Sequence, residues 1–352
     1  MPLEKGKIAV TAYHSGKQPL DILALLQADA ARKLDDVKGD LTIGWTSGRH
    51  MLERVIDDKT SKVGDWTNLH IRTAVRKVPP ALLKAECAAE EWAYMNSTGS
   101  EYVPKKVKRE IKQHVIENRL KSVPPTITGA QVVIGKDITF VLTTSRAMCE
   151  RVESLLGQYK LSLTQAGADH VFRKLKIKPT DYPGLLTGSE DDPCPERDFL
   201  LWLLWRCETV ESSVTVNGDV YSIMLDGPMT LTRSTVGATT LALRGGSPTA
   251  GAEFKPAIGA GSRITKAKLI IAKDTQIWSA QFDAMNFTFS GMSMPENDEE
   301  TRAGQFMARA DDLTLFIEIV EELYKLFLSE ACSDDWKVTE KAVKAWIKGD
   351  DE

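Results

Sequence analysis

Two proline pairs bracket the segment 78–125 and limit what it can form. Pro79-Pro80 opens the segment and Pro124-Pro125 closes it. The residue before a proline is pushed out of the α region, so helices tend to stop at these points. Between the pairs, helical patterns run over 81–94 and 105–121, joined by a turn-rich loop. The segment is therefore predicted to be a helical insertion with its own limits.

The second helical pattern has one apolar face and one basic face. Val107, Ile111 and Val115 repeat at the spacing of a single helix stripe. The rest of the surface carries the basic residues Lys105, Lys106, Lys108, Arg109 and Lys112. On a chain of net charge -4, such a face creates a local positive potential that attracts phosphate. The alternative interpretation is an ordinary solvated helix surface.

The composition is that of a globular protein with a large core. The chain has 352 residues, of which 42% are hydrophobic and 27% charged, a length that favours two or three domains. No apolar run approaches a membrane span, and the N-terminus lacks the apolar core of a signal peptide. A cytoplasmic location is therefore expected.

Cysteine and histidine spacing predicts neither disulfides nor a metal site. The five cysteines are scattered and never in CxxC spacing, which is typical of reduced thiols. The five histidines show no HxxxH or HExxH pattern. No metal and no cofactor is predicted.

The order of the patterned segments predicts an α+β fold with mixed or antiparallel sheets. Residues 1–77 plus 126–165 form the first predicted domain, and 78–125 protrudes from it as a helical tip. Residues 166–352 form a second domain that ends in a long helix over 302–327, and 169–192 is expected to be irregular. The apolar stripe Leu313–Phe327 on that helix is predicted to be core or a contact between subunits.

Alternation along the strand 69–76 places Arg72 and Arg76 on its polar face, where they would reach a polyanion. Their alternative role is to keep that face soluble.

The usual signatures of catalysis are missing. The sequence has no P-loop and no GxSxG, and Gly259-Ala260-Gly261 lacks the third glycine of a dinucleotide fingerprint. A metal-dependent nuclease would need converging carboxylates. Four acidic clusters are available: Asp191-Asp192, Asp298-Glu299-Glu300, Asp311-Asp312 and Asp334-Asp335. They are interpreted as helix-dipole and solubility features, so no catalytic residue is predicted.

Several segments, in this order, resemble the RdgC family of bacterial recombination-associated proteins. The segments are Gly44-Trp45, the proline-bounded excursion from Val78-Pro79 to Pro124, the Leu/Trp-rich Phe199–Arg206, Lys266–Leu269, Phe287–Gly291 and the helix Thr301–Phe327. The resemblance implies an α+β protein that forms a ring-shaped homodimer around duplex DNA without strong sequence preference. It also implies restraint of the RecA recombinase, a nucleoid-associated location and no enzymatic step.

The resemblance and the local charges together give the candidate DNA contacts. They are Arg72, Arg76, Lys105, Lys106, Lys108, Arg109, Lys112, Arg244, Lys266 and Lys268. Where the family often has a ring-closing aromatic, this chain has Ile127. Two other hypotheses stay open: a metal-dependent exonuclease that uses the acidic clusters, and a protein-interaction module that does not bind DNA.

Overall fold

The computed structural model describes residues 3–186, 193–233, 239–245 and 248–349. The chain divides into two compact units. Unit 1 consists of Met1–Leu20, Val63–Thr67 and Gln131–Glu352, and unit 2 of Asp21–Lys62 and Asn68–Ala130. These boundaries differ from those of the predicted domains, because an N-terminal strand pairs with strands from the second half of the chain.

The described residues form these strands: β1 Ile8–Ser15, β2 Thr42–Ser47, β3 Lys62–Val63, β4 Trp66–Val75, β5 Thr126–Ile134, β6 Ile138–Val141, β7 Leu163–Gln165, β8 Ser213–Val216, β9 Asp219–Arg233, β10 Thr239–Leu243, β11 Arg263–Lys273, β12 Gln276–Asp283 and β13 Thr288–Ser293. The α-helices are α1 Ile22–Ala28, α2 Asp58–Ser61, α3 Pro80–Thr98, α4 Lys105–Leu120, α5 Arg146–Gln158, α6 Ala168–Leu175, α7 Pro195–Thr209, α8 Phe254–Gly259, α9 Arg302–Ala331 and α10 Trp336–Lys348. The predicted α+β class with antiparallel pairing is confirmed.

Unit 1 is built on an antiparallel sheet. Its strand order is β10-β9-β11-β12-β13-β1-β6-β5, with β8 beside β9 and β7 beside β1. The turn at Asn217-Gly218 joins β8 to β9, and both residues have the positive φ angles, 53° and 89°, that such a hairpin needs. Strand β1 lies inside this sheet, between β13 and β6.

Unit 2 contains β2, the part of β4 after residue 67 and the part of β5 up to Ala130, and β2 pairs with β4. Gly44 of β2 lies where the backbone of residues 29–31 crosses the strand: the Trp45 N–H donates to the Asp29 carbonyl at 3.0 Å, and the Ala31 N–H donates to the Trp45 carbonyl at 2.8 Å. A Cβ at position 44 would lie 2.5 Å from the Ala31 Cα. The crossing therefore requires glycine before the buried Trp45.

The core of unit 1 lies between the sheet and the helices α7 and α9. In α7 every residue from Asp198 to Trp205 is buried, which is expected of a helix that is apolar on all sides. Phe199 of α7 stacks on Tyr324 of α9 with ring centroids 3.8 Å apart. Trp202 and Trp205 of the same helix are both buried.

The apolar stripe Leu313–Phe327 of α9 packs inside the chain. Its apolar members, Leu313, Phe316, Ile317, Val320, Leu323, Tyr324 and Phe327, are each at most 1% exposed. Of the two predicted roles, core is confirmed, and the idea that this stripe offers a surface to a second subunit is wrong.

One helix falls where the sequence predicted irregular structure. Helix α6 occupies Ala168–Leu175, inside the segment 169–192. Its short apolar pattern, Val171 and Phe172, is buried against the core, but the glycines and prolines around it obscured the period. The rest of that segment is irregular as far as Leu186, apart from a short turn of 3-10 helix at Pro179–Asp181.

A buried carboxylate on α7 meets a buried guanidinium of β11. Asp198 Oδ1 lies 3.3 Å from Arg263 Nε, and both side chains are 8% exposed. The Tyr182 hydroxyl and the Leu185 N–H donate to the other carboxylate oxygen at 2.8 and 2.9 Å. Burial raises the pKa of Asp198, and the hydrogen bonds and the Arg263 charge oppose that rise.

We expect Asp198→Asn to lower the free energy of unfolding by about 3 kcal/mol, because it leaves the Arg263 charge buried without its partner. The matched control is Glu150→Gln, which breaks the exposed pair with Arg146 and should cost less than about 1 kcal/mol. Urea unfolding followed by circular dichroism at neutral pH measures both. Equal losses in the two variants would contradict a structural role for the buried pair.

Candidate nucleic-acid interface

Helices α3 and α4 form a helical hairpin, defined here as residues 80–120. Pro80 occupies the first turn of α3, Gly99 ends that helix with φ 66°, and Pro104 precedes α4. Among the residues of the two helices, only Val115 is buried. The hairpin thus presents most of its side chains to solvent, unlike α7 and α9.

The two helices of the hairpin carry opposite charge, and some of it is neutralised between them. Lys108 Nζ lies 2.9 Å from Glu91 of α3. Arg119 donates from Nε to Glu86 at 2.6 Å. This hydrogen bond, followed by the charge of Glu86, raises the pKa of Arg119. These pairs take two of the cations of α4 out of the candidate interface.

Four cations of α4 make no ion pair with any described residue. They form the basic stripe, which consists of Lys105, Lys106, Arg109 and Lys112, all exposed. Lys105, Arg109 and Lys112 follow i, i+4, i+7 spacing and therefore lie on one face of the helix. Lys106 lies at the edge of that face. The structure thus keeps four of the five predicted contacts on this helix as free charges.

Exposed aromatic side chains on the same hairpin were not singled out from the sequence. Trp92 of α3 is 64% exposed, and Tyr102 in the loop before α4 is 71% exposed. Aromatic faces stack on nucleic-acid bases. The available signal was their charged surroundings, since Trp92 follows Glu90-Glu91 and Tyr102 follows Glu101.

The prediction that Arg72 lies on a solvent-facing side of its strand is wrong. Arg72 is 2% exposed. Its guanidinium donates to the carbonyl of Met51 at 3.1 Å and to that of Arg32. Burial, with a smaller effect from Arg54, lowers the pKa of Arg72. The strand face that alternation predicted to be solvent-exposed is covered by other backbone segments of unit 2.

Arg76 is half-buried and acts as a clamp between backbone segments. It donates to the carbonyls of Val37 and Val123 at 2.8 Å each, to Leu34 at 3.2 Å and to Lys121 at 3.4 Å. These contacts tie the chain before β2 and the chain after the hairpin to the end of β4. The hydrogen-bonding capacity of Arg76 is therefore directed inward.

The three candidate contacts of the second half belong to unit 1. Lys266 Nζ lies 2.8 Å from Asp283, and Lys268 Nζ lies 4.0 Å from Asp226. Arg244 is exposed at the end of β10, and Gly246, which follows it closely in the sequence, is outside the described residues. The two lysines are thus partly neutralised on their own sheet.

Ile127 lies in β5, at the sheet end of the hairpin, and is half-buried. The opposite end of the hairpin is the loop 99–104. The role of Ile127 in closing a ring stays a prediction.

The acidic clusters are not assembled into a carboxylate site in the described part of the chain. There, the one group of three or more His, Cys, Asp or Glu with ligand atoms close together is His14, His170 and Glu321. Asp311 and Asp312 lie on α9, where burial raises the pKa of each. Asp191-Asp192 falls outside the described residues.

Comparison with known proteins gives no assignment. No protein-family model matches the chain, and a search of curated proteins finds no match. The resemblance to RdgC stays a prediction from the sequence. None of the described helices combines the length and the apolar character that a membrane crossing needs.

We expect Arg76→Gln to destabilise unit 2 by about 2 kcal/mol, because several hydrogen bonds from a charged donor to backbone carbonyls are lost. Lys77→Gln, the exposed neighbour, is the control and should change stability by less than about 0.5 kcal/mol. Urea unfolding measures both variants. If Arg76→Gln is as stable as the control, the clamp does not contribute to the fold.

Proposed function

We propose that the protein binds double-stranded DNA without sequence preference, through the basic stripe of α4. The observation that carries the proposal is a set of four exposed lysine and arginine side chains on one helix, with no ion pair to the described residues. Free cations on an exposed helix suit phosphate, which needs charge more than shape.

The dimensions of the stripe support duplex DNA as the partner. From Lys105 to Lys112 the helix rises about 10 Å at 1.5 Å per residue. Duplex DNA carries about six phosphate charges over that length. Phosphate contacts position a protein on the duplex but carry no base information, so binding would be similar on all sequences.

The net charge of -4 fits this proposal if the contact is local. Two of the three acidic residues of α3 already pair with Lys108 and Arg119, so the remaining charge of α4 is concentrated in the basic stripe. An acidic remainder of the chain repels DNA elsewhere and favours docking through the hairpin.

The finer proposal is the RdgC type of assembly: a homodimeric ring on DNA that restrains RecA, in the nucleoid of the cytoplasm. It rests on the sequence resemblance. Since the apolar stripe of α9 is internal, the subunit contact must use another surface. Light scattering at micromolar concentration tests the dimer, and a monomer at that concentration would exclude a stable ring.

Charge removal from the basic stripe gives the sharpest prediction. The triple variant Lys105→Gln, Arg109→Gln and Lys112→Gln should bind every duplex sequence more weakly. The slope of log affinity against log salt concentration should also become less steep by up to about 2.7, at about 0.9 per contact. Glutamine is a good helix former and α4 keeps its apolar side, so the fold should be retained. Fluorescence anisotropy with two unrelated duplexes at several salt concentrations measures the effect.

The matched control removes the same charge from exposed positions elsewhere in unit 2: Lys33→Gln, Lys38→Gln and Lys59→Gln. Its salt slope should stay close to that of the unchanged chain. A folded stripe variant with an unchanged salt slope would show that the stripe is a solvated face. No binding by the unchanged chain at low salt would favour the protein-interaction module.

The exonuclease alternative is tested with the same protein. Linear duplex and plasmid DNA are incubated with Mg²⁺ or Mn²⁺, with and without a chelator. We expect intact DNA in every lane. Digestion that the chelator abolishes would replace the proposal of a purely binding protein.

A further inference from the structure

Three potential metal ligands from distant parts of the sequence meet in unit 1. His14 comes from β1, His170 from α6 and Glu321 from α9, and their ligand atoms all lie within 4.8 Å of one another. We call this group the His-His-Glu cluster. None of its members belongs to the hairpin or to the proposed DNA contacts.

The geometry of the cluster leaves one nitrogen without a partner. His14 Nε2 lies 2.6 Å from Glu321 Oε1. The rings of His14 and His170 are stacked, with centroids 3.6 Å apart and planes inclined by 12°. His170 Nε2 is buried and has no hydrogen-bond partner. Buried polar atoms are nearly always satisfied, so this nitrogen needs an explanation.

The local structure fixes the backbone that carries the two histidines. His14 is fixed in the sheet, opposite Ile138 of β6 and Thr164 of β7. Gly167 starts α6 with φ 129°, a conformation that favours glycine, and a Cβ there would approach the Phe287 ring to 2.9 Å. The turn that carries His170 over His14 is therefore set by the backbone.

We propose that the His-His-Glu cluster binds a divalent transition-metal ion, with Zn²⁺ as the best match. Two imidazole nitrogens and one carboxylate oxygen are a ligand set that zinc sites use, with a fourth position left for water. Calcium and magnesium prefer oxygen ligands, so this donor set selects against them. The His14 side chain is 25% exposed, which gives the ion a path from solvent.

The two carboxylate oxygens of Glu321 make different contacts. Oε1 faces His14, and Oε2 lies 3.4 Å from Lys174 Nζ. An ion bound through Oε1 leaves the contact with Lys174 intact, and outer contacts of this kind orient a ligating carboxylate. To admit the ion, His14 Nε2 gives up its hydrogen bond with Glu321, and both atoms bind the metal instead. Two nearly parallel rings do not direct their nitrogens at one point, so the His170 ring also turns out of its stack on His14 to bring Nε2 to the ion.

The competing interpretation is a metal-free ion pair, in which His14 and Lys174 offset the buried charge of Glu321. In that interpretation, His170 binds no ion and its nitrogens have no functional role. It also predicts no response of the protein to zinc.

The test is equilibrium dialysis of the full chain, without a polyhistidine tag and freed of metal by a chelator, against Zn²⁺ alone. We expect one tightly bound ion per chain. His170→Phe keeps a stacked ring and removes both ring nitrogens, of which the buried Nε2 has no hydrogen-bond partner, so it should fold normally. Glu321→Gln keeps the shape of the side chain. Both variants should weaken zinc binding at least about tenfold.

The control is His114→Phe, which removes an exposed histidine of α4 by the same substitution and should leave zinc binding unchanged. Thermal unfolding of the unchanged chain gives a second readout, since an ion that binds the folded state raises Tm. Binding that the control keeps and the two cluster variants lose supports the proposal. An unchanged chain that neither binds zinc nor gains thermal stability overturns it, as does undiminished binding in both cluster variants.

Discussion

The packing of α7 between the sheet and α9 is the constraint on which unit 1 depends. Phe199 stacks on Tyr324 and meets Phe327 edge-on with centroids 5.7 Å apart. Because α7 is buried on all sides, its polar atoms must be satisfied inside the core. Asp198 therefore pairs with Arg263, and the Trp202 indole donates to Glu330 at 3.2 Å. The same burial that gives the core its stability determines where its charges must pair.

This constraint also links the long helix to the candidate metal site. The buried stripe of α9 leaves no apolar surface of that stripe for a partner. Glu321 lies among these buried residues at 5% exposure, where an isolated carboxylate would be costly. Burial would raise its pKa, but the hydrogen bond and charge of His14, with His170 and Lys174, lower it.

Periodicity predicted those elements whose burial follows from their own sequence. The helices α4 and α9 were predicted close to their observed positions. Arg72 shows the limit of the method: alternation identifies the two faces of a strand, but it does not reveal that backbone from Met51 and Arg32 covers one of them. The His-His-Glu cluster shows the same limit, since its members lie far apart in the chain and only the fold brings them together.

The hairpin shows why counting charges in the sequence could not distinguish, among the cations of α4, the candidate DNA contacts from the cations that are paired within the hairpin. All the cations of α4 look alike in the sequence, yet docking against α3 pairs Lys108 with Glu91 and Arg119 with Glu86. A paired cation releases fewer counterions when it meets phosphate, because its charge is already partly compensated. The cations that turn away from α3 keep their full charge. The acidic side chains of α3 therefore neutralise the cations of α4 that face them and leave the others fully charged. This limits the proposed DNA contact to the side of α4 that faces solvent.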